Sequence, residues 1–418
     1  MVDTMMLGSY GEIQLSGSSL ANDFINIFQI LCMGMGCGAA VLTAQYWGSR
    51  NLTALKKTIA VMLRLAVVIA LIFTGAVLFQ AETIMRIYTT DAQVIEKGVL
   101  YFQWSLITFL LTSLSLTLTQ VMRSIQKVKI PLYASVLGFA VNIFANWVFI
   151  FGNLGAPEMQ IAGAALGTVI ARTVETMMIL GYFFFLDKDL KFRFRDLKLS
   201  GAEIRAKYVK YSIPVLASDL LLGFGNTAVS IIIGQMGTSN VAAYAIIGVV
   251  QRLSTVFTSG LGQAAHTITG NTVGAGKIRQ AYAEAKTMLA IAFLLGLAAA
   301  VIMQLSGPWI IACYRIEPQT QSIAGQMLNA ISLMIVLQSL QSVITKGILR
   351  GGGDTIFCLA IDAVFLWAVS IPLGILTGLI WHCSAFVVML ALKSDWLIKT
   401  GLGIGRIASK KWIKTVNE

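Results

Sequence analysis

The chain has 418 residues, of which 57% are hydrophobic and 12% charged, with a mean hydropathy of +0.78. Soluble domains carry about a quarter charged residues, and this much apolar surface cannot be buried in one aqueous core, so soluble enzymes, disordered chains, collagen-like repeats and disulfide scaffolds are excluded. The formal net charge of +12 comes from bases in short connections between apolar runs, which points to orientation in a membrane and away from nucleic acid.

A spanning helix needs about 20 mostly apolar residues. The segment from Met1 to Leu7 is too short to cross and lacks the basic region, apolar core and small-residue cleavage site of a signal peptide. Full spans are expected near 20–48, 58–80, 97–120, 130–152 and 161–186, then near 208–235, 241–272, 284–313, 322–346, 355–377 and 379–393. The last two are cut from one nearly unbroken apolar stretch between Gly374 and Trp381. Bases mark alternate connections: Arg50, Lys56 and Lys57, then Arg123, Lys127 and Lys129, then the basic segment from Asp187 to Lys210, then Lys277, Arg279 and Arg350. The positive-inside rule puts these connections, and the lysine-rich stretch from Lys393 to Lys414, on the cytoplasmic side. The opposite connections hold only Arg86, Lys97 and Arg315 as bases.

The two halves repeat. A shift of 226 superimposes Gly8 on Gly234, Gly11 on Gly237, Gly34 on Gly260, Gly36 on Gly262 and Gly48 on Gly274; a shift of 227 brings Gly98 to Gly325, Ser105 to Ser332 and Arg123 to Arg350. The shared charge bias gives both halves the same direction through the membrane, a parallel pseudo-symmetric transporter architecture with its site near the midplane. Gly234 ends a full helix, so Met1 to Leu7 is expected to be the end of a first helix that is only partly present. The organisation expected is an N-terminal lobe over 1–186, a cytoplasmic connector over 187–207, a C-terminal lobe over 208–393 and a basic cytoplasmic tail over 394–418.

Each ionisable group at membrane depth costs on the order of 2.5 to 3.5 kcal/mol on insertion scales and needs a reason. Asn142 and Asn146, four apart, share one helix face and either serve a polar site or join helices as amides. Arg172 and Glu175, three apart, are spaced to neutralise one another, with a part in cavity electrostatics as the alternative. Asp219 follows the helix-distorting Pro214 by five residues. Asp362 and Arg252 stand isolated, either functional or snorkelling to a wet cavity. Cys32, Cys37, Cys313, Cys358 and Cys383 have no C-x-x-C spacing or partnering histidine and read as small hydrophobes. His266 and His382 are too far apart for a spaced metal motif, so no metal site is expected.

Several motifs are familiar: Val2-Asp3-Thr4-Met5-Met6-Leu7-Gly8, Ala44-Gln45-Tyr46-Trp47-Gly48, the run from Gly270 to Lys277, Gly347-Ile348-Leu349-Arg350-Gly351-Gly352-Gly353-Asp354-Thr355, Ile371-Pro372-Leu373-Gly374 and Lys393-Ser394-Asp395. Their order over nearly the whole chain resembles the multidrug and toxin extrusion (MATE) family, closer to its DinF-like than its NorM branch. The resemblance implies an all-α polytopic membrane protein of two pseudo-symmetric six-helix bundles, twelve helices in the family, with a V-shaped central cavity. It implies a plasma (inner) membrane location with both termini cytoplasmic. It also implies a secondary multidrug antiporter, not an enzyme, that exports organic cations or amphipathic compounds for H+ or Na+. No cofactor beyond the coupling ion is implied, and the partners are small-molecule substrates and membrane lipids, with a monomeric state. Asp3 takes the family's cation-coupling position, with Asn142 and Asn146 beside it. Many relatives carry an aspartate where Asn146 stands, which puts a two-carboxylate relay in doubt. NorM-type relatives place a sodium-binding glutamate on the helix of Asp219, in a register that does not coincide, so Asp219, Asp362, Arg172 and Glu175 remain cavity or second-lobe candidates.

The main alternative is a flippase for a lipid-linked precursor, which calls for a more basic central cavity. A membrane transferase would need clustered aspartates, but the close pair Asp187 and Asp189 falls in the connector. A channel would need a filter-like segment, and direct use of ATP a strand before the Gly270–Lys277 run.

Overall fold

The structure, a computed structural model, describes residues 6–7, 11–199, 201–314 and 316–416. Among them there is no strand, and ten helices are long and apolar enough to cross a membrane. In chain order they begin with α1 (Glu12–Gly48), α2 (Leu52–Tyr88), α3 (Ala92–Ser124), α4 (Lys129–Phe151) and α5 (Gln160–Gly181), followed by α6 (Ala202–Gln235), α7 (Thr238–Gly274), α8 (Ile278–Cys313), α9 (Pro318–Ser342) and α10 (Thr355–Phe365). α9 continues as a π-helical run, Val343–Leu349, and α10 stays helical to Ile380 through two π turns. Boundaries follow local chemistry. The Asp91 carboxylate accepts from the backbone N–H of Gln93 at 2.8 Å and so caps α3. Gly152, with φ +69°, ends α4 in the left-handed region where a Cβ is disfavoured. Pro318 starts α9, where its missing N–H costs nothing.

The chain divides into two compact units, Met1–Thr43 with Leu52–Ser212, and Ala44–Asn51 with Ile213–Glu418. The break falls just before Pro214, which removes a hydrogen bond inside α6.

The core of the first unit is aromatic: Phe28 lies 5.0 Å edge-on to Phe109 and 5.1 Å from Phe73, with Phe24 and Phe102 beside them. The connector is strapped to this unit. Lys127 pairs with Asp187 and, at 2.6 Å, with Asp189, while Lys56 pairs with Asp196 at 2.8 Å and donates to the Lys191 carbonyl at 2.9 Å. Burial works against the Lys127 charge, but its hydrogen bonds to both aspartates outweigh it and hold the ammonium above the usual lysine range. The Lys127 hydrogen bond keeps Asp189 below the carboxylate range. Asp196 is also low, because the bonds from Lys56 and the Arg193 backbone N–H overcome its burial.

In the second unit the sequence repeat has a physical meaning. A Cβ on Gly48 would run into the Asn271 carbonyl, and one on Gly274 into the Gln45 carbonyl. Since 45 and 271 are also related by the shift of 226, the two helix ends meet backbone to backbone in a self-complementary crossing. The glycine run has similar causes: Gly351 abuts the His266 carbonyl, Gly352 the ring of the fully buried Trp412, and Gly353 has φ +88°. Asp354 then binds Arg406 at 2.8 Å and Lys414 at 2.5 Å, and Gln45 accepts from the Val416 N–H at 2.9 Å.

The final stretch differs from the expectation. The span placed at 379–393 is instead α11 (Ala385–Leu392) continued beyond Lys393 by α12 (Ser394–Ala408). Residues 394–416, expected as a basic tail, pack into the second unit, with Asp395, Lys399, Thr400 and Trp412 buried. Hydropathy missed this because the polar residues of α12 are satisfied internally.

Candidate functional site

Asp362 lies near the end of α10 with no exposed surface. Ser218 on α6 donates to its Oδ2 at 2.8 Å, and Gln341 on α9 donates to its Oδ1 at 3.4 Å. Two cations flank it at longer range, Arg350 at 3.9 Å and Lys399 at 3.7 Å. Each has a closer carboxylate of its own: Arg350 binds Asp219 at 2.8 Å, and Lys399 binds Asp395 at 2.8 Å. Arg350 also donates to Ser218 at 3.1 Å, and Ser370 to Asp395 at 3.1 Å. The result is a chain of alternating charges, Asp219, Arg350, Asp362, Lys399 and Asp395. Its two ends are compact neutral pairs, and Asp362 is the extra anion between them.

The arrangement follows from four elements. α6 presents Ser218 and Asp219 one turn after Pro214, and the π-helical run after α9 leads directly into Arg350. On α12, Asp395 and Lys399 are four apart and therefore on one face. Beside the chain lies a polar cavity of about 210 Å³ whose lining includes Lys346, Lys393, Asp395, Trp396 and Lys399.

Asp219 and Asp362, isolated in the sequence, thus meet around Arg350. In the first unit, Asn146 donates to Asn142 at 3.3 Å, and a Cβ on Gly167 would strike the Asn146 side chain. Arg172 and Glu175 form the expected pair at 2.7 Å, with Glu175 buried. Asp3 lies outside the described residues. Arg252 is exposed. Sequence reasoning missed Arg350, Lys399, Asp395 and Lys393 as site residues, because it read the first as loop charge and the others as tail. The i, i+4 spacing of Asp395 and Lys399 was the available signal.

Long apolar helices, an internal repeat and charges paired at membrane depth define a multi-pass membrane transporter. The family model MatE matches residues 1–148 and 214–376, and the chain belongs to the MATE family of transporters. It is similar to the uncharacterized transporter YisQ of Bacillus subtilis, 22% identical over 418 residues that cover 99% of this chain and 90% of the relative. The probable multidrug resistance protein NorM of Thermotoga maritima is 22% identical over 419 residues, covering 99% and 89%. An outward-facing structure of a multidrug resistance MATE transporter of the MOP superfamily shares the fold with TM-score 0.87 at 17% identity, covering 99% of this chain and 92% of that one. So does a Pyrococcus furiosus MOP superfamily transporter, described as having a binding pocket of reverse polarity that suggests a different function, with TM-score 0.86 at 18% identity, covering 98% and 91%.

Proposed function

We propose that this chain is a secondary antiporter of the plasma (inner) membrane, acting as a monomer with both termini cytoplasmic, that exports organic cations or amphipathic compounds in exchange for protons. Relatives named as probable multidrug resistance proteins support the substrate class. The observation that carries the coupling ion is the extra carboxylate of the charge chain. Asp362 is fully buried, and its two cations sit closer to other acids. A proton on Asp362 cancels the shared anion and leaves two self-sufficient pairs, Arg350 with Asp219 and Lys399 with Asp395. Its departure draws both cations back toward α10, so one proton selects between two packings of α6, α10 and α12. Sodium is the poorer fit here, since protein cations already occupy the spaces between the carboxylates. For the N-terminal half, the family resemblance gives the coupling role to Asp3, with Asn142 and Asn146 as further candidates.

The test is ethidium transport by reconstituted proteoliposomes under an imposed proton gradient or sodium gradient. The proposal expects transport driven by the proton gradient alone. Transport under sodium alone would replace the ion, and no transport under either would remove the antiport reading. A second reading, flipping of a lipid-linked precursor, is favoured by the lysines lining the cavity of the second unit. It predicts translocation of a fluorescent pyrophosphate lipid in the same vesicles with no response to ethidium.

A further inference from the structure

The cavity beside the charge chain has a chemistry that cation export does not use. Its lining carries three ammonium groups, Lys346, Lys393 and Lys399, against one carboxylate, Asp395. That carboxylate is already committed to Lys399 at 2.8 Å and to Ser370 at 3.1 Å. Lys393 is the telling residue. It is only 8% exposed, sits at the break between α11 and α12, and among the described residues has no carboxylate within 4.0 Å. Its ammonium lies 5.2 Å from the centre of the Trp396 ring, a cation–π contact, and both residues line the cavity. The remaining lining is rich in hydroxyl and amide groups, including Gln338 and Ser342, which donate hydrogen bonds to an anion as readily as they accept them.

A buried lysine without an acid is costly, and a cavity of about 210 Å³ with surplus positive charge repels an organic cation while favouring a compact anion. Oxyanions supply what the walls lack, since several acceptor oxygens can take bonds from Lys393, Lys346 and the neutral donors together. We infer that this cavity binds an oxyanion, the carboxylate or phosphate group of a small polar acid or of an anionic lipid headgroup, with Lys393 as its principal contact and Lys346 as the second. Lys399 stays with Asp362 and Asp395 and leaves the anion to Lys393 and Lys346. The inference is independent of the coupling ion and of the exported compound.

The experiment is calorimetric titration of the purified full chain with inorganic phosphate, together with thermal stability in nanodiscs of phosphatidylcholine alone or mixed with phosphatidylglycerol. The same measurements follow on Lys393→Gln, Lys393→Arg and Lys346→Gln. A small acid as ligand predicts saturable phosphate binding that Lys393→Gln weakens about tenfold or more, that Lys346→Gln weakens less and that Lys393→Arg retains. A lipid headgroup as ligand predicts instead stabilisation by phosphatidylglycerol that follows the same order of variants, with phosphate binding weak. Folding of Lys393→Arg and Lys346→Gln keeps the comparison available should Lys393→Gln not fold. Binding of neither probe, or binding unchanged in Lys393→Gln and Lys346→Gln, overturns the inference.

Discussion

Asp362 shows how much a single side chain depends on its neighbours at membrane depth. Its two hydrogen bonds and two distant cations hold it in place without neutralising it fully, whereas Asp219 and Asp395 each own a cation at 2.8 Å. Removing one partner of a buried ion pair strands the other, at a cost of about 3–5 kcal/mol. Lys399→Met is therefore expected to lower thermal stability in detergent sharply, because it leaves Asp395 without its cation and Asp362 with one fewer. Adding Asp395→Asn to that variant removes the stranded anion and is expected to restore a good part of the loss; a double variant no better than the single one would show that Lys399 acts by packing. Asp362 was legible in the sequence as an unexplained charge, but its partners were not. Arg350 reads as an ordinary cytoplasmic base and Lys399 as part of a basic tail until the fold brings α6, α9, α10 and α12 together.

At the level of elements, glycines set the closest contacts. Gly274 faces the Gln45 backbone with no room for a Cβ, and backbone cannot swing aside as a flexible side chain can. Gly274→Ala is expected to reduce the yield of monodisperse protein severely on size-exclusion chromatography, while Gly260→Ala, where a Cβ meets open space, leaves it unchanged. Trp412 fills the hollow over Gly352, so Trp412→Ala is expected to cost about 3–5 kcal/mol, visible as a fall in the unfolding midpoint. The connector obeys a different rule. Asp196 sits below its unfolded value near 3.9, so its contribution is present above that value and lost as pH falls through the folded one. Lys127 sits above its unfolded value near 10.4, so its contribution is present below that value and lost only as pH rises through the folded one. Hydrogen exchange of 187–199, corrected for intrinsic rates, should thus be flat from about pH 6 to 8 and should rise in Lys56→Met. A rise across that range in the unaltered chain would mean that other groups hold the strap. Periodicity and length revealed most helices because apolar runs dominate them. They failed over 394–408, where the buried Asp395–Lys399 pair makes a packed helix look like a tail.

For the whole molecule, the internal repeat was readable as glycine coincidences between the halves, and the Gly48–Gly274 crossing supplies the reason those positions coincide. The repeat and the MATE family membership make this a transporter. The charge chain of the second unit, with Asp362 between two cations that each hold a closer acid, is where the proposed coupling would act. The cavity lined by Lys393 shares Asp395 and Lys399 with that chain, so an anion held there would sit within reach of the same helices. The most direct measurement is proton release on adding ethidium to inside-out vesicles containing the unaltered chain or Asp362→Asn. The account predicts release from the unaltered chain and its loss in Asp362→Asn, with both proteins present in equal amount. Equal release from both would contradict the role of Asp362, and no release from either would contradict proton antiport itself.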